Sequence, residues 1–398
     1  MQASFFLYAL LLLGSGATMA FLQQFSSCRM QSTSLSFADS TTTADNLRVV
    51  PSIRHIVDDY DVFLLDMWGV MHDGNRPYDG VLEVVQELKQ ANKELMILSN
   101  SSKRQVNAVK MLTKLGFDPS DFSKIITSGE VAHHLLAHLA GVSEDSSWVP
   151  SDVPDVFRNL SSLASSRNVF CFGSGDGDKD YLKSCGWNLA NSLEDADLIV
   201  ARGTFVIQDA SSVVDKTKDG EEAYFQAHDK ALEEAAERGI PMVVCNPDKI
   251  RPDADRSPMP GTIGATYLQL LEKNGVIDSD GLVLFLGKPF ADVYEIALRD
   301  CLGKRACMVG DALETDCTGA MAARIDSLWV VMNGIHNDDI EGKAASQRKN
   351  INLGQETGLD ALENGCRQVL QEFNDRLHDT YARGKQLVPT VVLPTFRW

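Results

Sequence analysis

The chain is short of positive charge. Against 55 aspartates and glutamates stand only 37 lysines and arginines, a formal net charge of −18 over 398 residues. A surface of that sign repels polyanions, which argues against nucleic acid and anionic membrane surfaces as main partners. Any phosphate-bearing ligand has to be drawn in by local groups against the overall field. The eight cysteines (28, 171, 185, 245, 301, 307, 317 and 366) form no CxxC pair and no zinc-ligand spacing. Most lie in apolar runs such as "VVCNP" and "ACMVG", the setting of buried thiols in a reducing compartment rather than of disulfides. Internal repeats are also missing. What is present is a 44% hydrophobic composition, enough for one large or two ordinary domains with real cores.

The N-terminus differs from the rest. "SFFLYALLLLGSG" has the length of a signal-peptide core and is too short to span a bilayer. "ATMA" follows, with small residues at Thr18 and Ala20 where a signal peptidase needs them. No acid occurs before Asp39, and "FSSCRMQSTSLSF" is rich in hydroxyls with one arginine. This arrangement resembles the bipartite presequence of algae with secondary plastids, a signal peptide followed by a transit peptide that opens on a phenylalanine, here Phe21. The resemblance implies a plastid location and a mature form free of the membrane. The alternative is a secretory signal with a plain spacer, which suits the reduced-looking cysteines less well. Residues 1–44 are therefore set apart as a targeting segment.

From Tyr60 onward, short apolar runs alternate with helical periodicity. "DVFLLDM" and "ELMILSN" read as buried parallel strands, with "GVLEVVQELKQAN" as the amphipathic crossover between them. "NVFCFG", "ADLIVAR", "MVVCNPD", "VLFLGKP", "ACMVGDA" and "SLWVVMN" repeat the strand pattern, with helices such as "EEAYFQAHDKALEEAAERG" and "ADVYEIALRDCLG" between them. Such alternation predicts an α/β fold with a doubly wound parallel sheet, and a second α/β unit beside it. "SGDGDKD" hints at a calcium loop but lacks the distal glutamate and reads better as a loop. "IHNDDIEGKAASQRKNINLGQETG" reads as an exposed loop, and "LDALENGCRQVLQEFNDRL" as an amphipathic helix packed on the core.

In doubly wound sheets ligands sit beyond the carboxyl ends of the strands. Asp66 follows "FLL", Ser99 follows "LMIL", Lys288 follows "LFLG" and Asp311 follows "CMVG". Any one of these is explained as a cap or turn residue. An acid, a hydroxyl, an amine and another acid at four strand ends make a stronger case together. Their order, with "GVMHDG", "TSGE", "CNPDKIRP", "GKPFADVYEIAL" and "VGDALETDCTGAMAA", resembles the haloacid dehalogenase superfamily. The fuller match is to its subclass with a large α/β cap, which includes nucleotide and phosphoglycolate phosphatases. The likeness runs from about Tyr60 to Asn333. It implies a core over 45–129 and 265–398 with an inserted cap domain over 130–264.

The resemblance also implies roles. Asp66 is the nucleophile that takes the phosphoryl group, and Lys288 steadies both carboxylate and phosphate. Ser99 and the backbone near Asn100 receive phosphate oxygens, and Asn246, Pro247 and Asp248 contact ligand or merely form a turn. Mg²⁺ is the implied cofactor, held by Asp66, the main-chain carbonyl of Trp68, Asp311 and, directly or through water, Asp316. Asp316 has the alternative task of holding Lys288. The partner is a small phosphorylated molecule. A homo-oligomer is compatible with all of this, and the sequence sets no oligomeric state.

One departure stands out. These phosphatases usually carry a second aspartate two residues after the nucleophile, to protonate the leaving alcohol and then activate water. Here that place holds Trp68, whose indole has no useful proton chemistry. General acid–base help is worth about 10²–10⁴-fold, so a slow enzyme selective for good leaving groups is expected rather than an inert one. His72 or Asp73 just beyond are substitutes to be tested, and Trp68 itself is either packing or a stacking platform. Two other readings stay open: a phosphate-binding protein that has lost turnover, and a metal-free dehalogenase, which would leave the "GDALETD" acids without purpose.

Overall fold

The computed structural model describes residues 47–163, 166–175, 177–251, 257–346, 356–380 and 386–398. The expected targeting segment and Cys28 lie outside the described residues. The strands are β1 (Val62–Leu65), β2 (Glu94–Ser99), β3 (Lys124–Thr127), β4 (Asn168–Gly173), β5 (Asn188–Leu189), β6 (Leu198–Ala201), β7 (Val206–Gln208), β8 (Val213–Asp215), β9 (Met242–Val244), β10 (Val283–Phe285), β11 (Ala306–Gly310), β12 (Asp326–Val330) and β13 (Val391–Leu393). They form two sheets. The first has the order β13-β12-β11-β1-β2-β3 and is parallel throughout. The second has the order β10-β9-β6-β4-β7-β8, with β5 beside β4.

The first sheet is covered on both faces, which is why its strands are unbroken apolar runs. Along β1, Val62 and Leu64 enter one buried cluster while Phe63 and Leu65 enter another. The crossover helix Val81–Gln90 buries Val81, Val84, Val85 and Leu88, the one-face spacing its pattern predicts. The next helix, Gln105–Lys114, is followed by Gly116 in the left-handed region at φ +90°.

The second sheet is mixed. β4, β6, β9 and β10 are parallel, but β7 runs antiparallel to β4 and β8 antiparallel to β7. Helices Glu221–Arg238 and Pro260–Lys273 bury Leu232, Ala235, Tyr267 and Leu271 in this sheet's own cluster, which also holds Ile199 and Val244. The expected boundary at 264/265 falls inside the second of these helices. β10, which leads into Lys288, pairs with β9 and so belongs to the second sheet.

One expectation from the sequence changes. The segment read as an exposed loop contains the helix Asn337–Ser346. Its Ile340 and Ala344, one turn apart, are buried, and Ile340 joins Leu362, Cys366 and Val369 of the long helix Glu356–Thr380 in one cluster. A two-residue apolar stripe in a polar segment is too little to reveal a helix that exists by leaning on a neighbour. In "SGDGDKD", read from the sequence as something other than a calcium site, Asp178 is used within the protein. Asp178 accepts the N–H groups of Ser174 and Gly175 and pairs with Arg202, leaving no oxygen free for a cation. Seven cysteines, all those described, are buried free thiols. Among the described residues no helix is long and apolar enough to cross a membrane.

Candidate active site

The chain lays down β1, β2 and β3 in one direction and returns to place β11, β12 and β13 on the other side of β1. The β1–β11 border is therefore the topological switch point, where adjacent strand ends diverge and leave a crevice. Leu65 is level with Val309, so Asp66 and Asp311 leave neighbouring tips, which parallel strands hold roughly 4.8 Å apart. The Asp66 N–H donates to the Val309 carbonyl at 2.9 Å and holds this register past the strand's end.

Three carboxylates meet there. Asp66, Asp311 and Asp316 each present an oxygen, all within 4.8 Å of one another. Asp316 is delivered by the π-helical turn Leu313–Cys317. Its Oδ2 accepts the N–H groups of Asp311 and Ala312, both at 3.1 Å. Its Oδ1 lies 2.6 Å from Lys288 Nζ, which is also 2.7 Å from Asp66 Oδ1. Lys288 is 2% exposed. Burial works against its charge, but Asp316 and Asp66 outweigh it and hold the ammonium above its ordinary value. Asp316 is pushed up to about 6 by burial, with Lys288 opposing. Asp311 is pushed well up, by burial first and then by Asp316 and Asp66.

Glycines make this crowding feasible. A Cβ at Gly69, where φ is +80°, would lie 2.4 Å from the Asp311 carboxyl carbon, and one at Gly310 would lie 2.2 Å from Asp316. Asp311 is aimed by the Ile335 N–H, which donates to its Oδ2 at 2.9 Å, and by the Trp329 indole N–H, which donates to its carbonyl at 3.0 Å. Hard oxygen donors with more negative charge than one lysine balances are what a small divalent cation requires. Asp66 and Asp311 fit that need, with the Trp68 carbonyl in the same turn. Asp316 already serves Lys288 and two N–H groups.

The remaining predicted residues divide. Ser99 ends β2, half-buried, and its Oγ accepts the Ser101 N–H at 3.3 Å. The side chain of Asn100 is a clamp: its carbonyl oxygen accepts the Lys288 N–H at 2.7 Å, and its NH₂ donates to the Lys288 carbonyl and to Asp248 Oδ1, both at 2.8 Å. Asn246, buried, accepts the Asp248 N–H at 2.8 Å and so braces a turn. The Trp68 indole packs over Gly74, where a Cβ would approach its ring to 2.5 Å, and meets His72 edge-on at 5.9 Å between centroids.

Neither neighbour of Trp68 replaces the missing acid. His72 Nδ1 accepts the Gly74 N–H at 2.9 Å, and burial lowers its pKa. Asp73 is half-buried, and its Oδ1 accepts the N–H groups of Arg76 and Asn75, which hold it below the usual carboxylate range. Asp248 is the residue that sequence reasoning undervalued. In "CNPD" it reads equally as a turn residue or a ligand contact, and only its bond to Asn100, 148 positions away, brings it to the site.

A sheet with acids at its switch point, a lysine between them and a second α/β layer defines a hydrolase of the haloacid dehalogenase type. Residues 63–188 match the model of a family described as haloacid dehalogenase-like hydrolase, and residues 285–352 match one described as HAD-hydrolase-like. The first span contains Asp66 and Ser99, and the second contains Lys288, Asp311 and Asp316. A haloacid dehalogenase-like hydrolase from Brucella suis shares the fold at a TM-score of 0.57, with 19% identity over 87% of this chain and 100% of that one. A possible sugar phosphatase from Cytophaga hutchinsonii does so at 0.53, with 18% identity over 76% and 95%. A 4-nitrophenylphosphatase of Schizosaccharomyces pombe is 21% identical over 72% of this chain and 88% of its own length. A D-glycerol 3-phosphate phosphatase of Mycobacterium tuberculosis is 24% identical over 72% of this chain and 66% of its own length. Two family models of the haloacid dehalogenase type thus match the chain in order, and its likeness is to the subclass of that superfamily with a large α/β cap.

Proposed function

We propose that this chain is a Mg²⁺-dependent phosphohydrolase that splits a small phosphorylated molecule through an aspartyl-phosphate on Asp66. The observation that carries the reading is the pairing of Asp66 with Lys288 at 2.7 Å beside the Asp311 and Asp316 carboxylates. Relatives named as phosphatases of nitrophenyl phosphate and of glycerol 3-phosphate support the reaction class.

Lys288 fixes the Asp66 oxygen that it pairs with, leaving the other for attack in line on phosphorus. Ser99 at the neighbouring strand end offers its hydroxyl to a phosphoryl oxygen, and the buried Lys288 charge compensates the dianion. Asp316 keeps Lys288 aimed and charged. Mg²⁺, held by Asp66, Asp311 and the Trp68 carbonyl, would supply Lewis-acid neutralisation between the nucleophile and the phosphate. Position 68 offers no proton, so aryl and acyl phosphates are expected to turn over faster than alkyl phosphates unless another residue of the site supplies it.

The test is a panel of phosphorylated metabolites with Mg²⁺, with and without chelator, and with ³²P-labelled substrate to trap phosphoenzyme. Turnover that chelator abolishes, with label retained on wild type and not on Asp66→Asn, supports the reading. Ligand binding without turnover would instead favour a phosphate-binding protein, the reading that Trp68 keeps alive.

A further inference from the structure

In an in-line displacement the leaving oxygen departs opposite the attacking one. With Asp66 on the tip of β1, that direction points away from the first sheet. The Asn246–Asp248 turn that follows β9 reaches the same strand ends, where Asp248 bonds to the Asn100 amide that also holds the Lys288 backbone. It is seated rigidly. A Cβ at Gly261 would lie 2.1 Å from the Pro247 carbonyl oxygen, and one at Gly287 would lie 2.6 Å from Asn100 Oδ1 and 2.8 Å from the Pro247 ring. Asp248 Oδ1 is held by the same Asn100 amide that grips the Lys288 backbone on both sides. Among the described residues, its Oδ2 takes no hydrogen bond.

We propose that Asp248 is the acid–base residue of this enzyme, placed on the cap side of the substrate in compensation for Trp68. The proposal rests on the phosphohydrolase reading above. In the first step an Asp66 oxygen bonds to phosphorus, the bond from phosphorus to the ester oxygen breaks, and that oxygen takes the proton of Asp248 Oδ2 to leave as an alcohol. In the second, water attacks the phosphorus of the aspartyl-phosphate and gives a proton to Asp248. The bond to Asp66 breaks, and inorganic phosphate leaves. Asp248 ends as it began.

The surroundings suit a group that must both give and take a proton near neutrality. Burial is the leading influence on Asp248. The Asn100 amide and Lys288 favour its ionised form, Asp66 and Asp316 oppose it, and the balance pushes its pKa up to about 7.

The experiment uses the full chain with Mg²⁺ and two substrates, 4-nitrophenyl phosphate and glycerol 3-phosphate. The first leaving group needs no proton and the second does. Asp248→Asn is expected to lower kcat/KM for glycerol 3-phosphate about 10²-fold or more while leaving that for 4-nitrophenyl phosphate nearly unchanged. It should also produce a burst of nitrophenol followed by slow turnover, because the second step loses its base. Asp248→Glu should recover part of the loss. Equal losses in kcat/KM with both substrates, without a burst, would reduce Asp248 to a brace for Asn100 and overturn the proposal. Should Asp248→Asn not fold, the wild-type pH profiles decide. A group titrating near 7 for glycerol 3-phosphate and missing for 4-nitrophenyl phosphate supports the role, and identical profiles overturn it. Wild type inert toward both substrates would sink the phosphohydrolase reading itself, a failure distinct from the others.

Discussion

At the carboxyl ends of both sheets a buried cation meets buried acids, with opposite electrostatic results. In the second sheet, Arg202 directly follows β6 and pairs with Asp178, which begins the helix after β4. Asp178 also accepts from Gly175 at 2.8 Å and from the Gln208 amide at 3.0 Å, and the Arg202 guanidinium lies 4.2 Å over the Tyr181 ring. One charge answers one charge, and every Asp178 oxygen has donors. In the first sheet a single lysine faces Asp66 and Asp316, with Asp311 alongside. A strand end attracts polar groups in either case. The surplus of one sign is what separates a site awaiting ligands from a finished structural cluster.

The contrast is sharpest in activity. Asp66→Asn should cut turnover on the order of 10⁴-fold or more with the fold intact, whereas Asp178→Asn should leave the turnover of each folded molecule unchanged. Steady-state kinetics normalised to folded protein checks both. Stability gives the next largest effect. Lys288→Met and Arg202→Met each strand buried carboxylates and should cost about 3–5 kcal/mol in denaturant unfolding. Mg²⁺ should restore much of the loss in Lys288→Met and none in Arg202→Met; equal behaviour of the two would break the comparison.

Metal binding alone should then stabilise wild type by about 2.7 kcal/mol at a hundredfold excess over Kd, visible as a rise in Tm, and Asp311→Asn should abolish that rise. The smallest effect concerns an acid with no cation. Asp292 Oδ1 is buried without a partner among the described residues, and burial, then Glu295 and Asp152, push its pKa from 3.8 to about 7. The folded chain keeps that proton after the unfolded chain has lost it, so this residue's contribution to stability falls as pH rises through that window. Asp292→Asn should match wild type below pH ~4 and exceed it by a margin that grows as pH rises to ~7, as measured by unfolding across pH.

How much of this was legible in the sequence follows from the range of the forces involved. The tips Asp66, Ser99, Lys288 and Asp311 were readable because each ends an apolar run, and burial on both faces writes such runs plainly. Which sheet a run joins is not written locally. "VLF" of β10 carries the same signature beside β9 as it would in the first sheet. The hairpin of β7 and β8, three residues each, is too short to show a period. The clamp of Asn100 on Lys288 and Asp248 spans separations of 188 and 148 residues, so "CNPD" read equally as a turn or a ligand contact. Trp68 was visible as an anomaly, but its packing on Gly74 and His72 appears only in three dimensions.

The membership of β10 in the second sheet bears on modularity. Phe285 ends a strand of one unit, and three positions later Lys288 delivers its charge to the other. The covering unit therefore owns part of the machinery it covers. An engineer who grafts a different cover onto this base must supply a new cation along with it. Evolution is bound in the same way: specificity can drift within the cover's loops, but wholesale exchange would disarm the nucleophile.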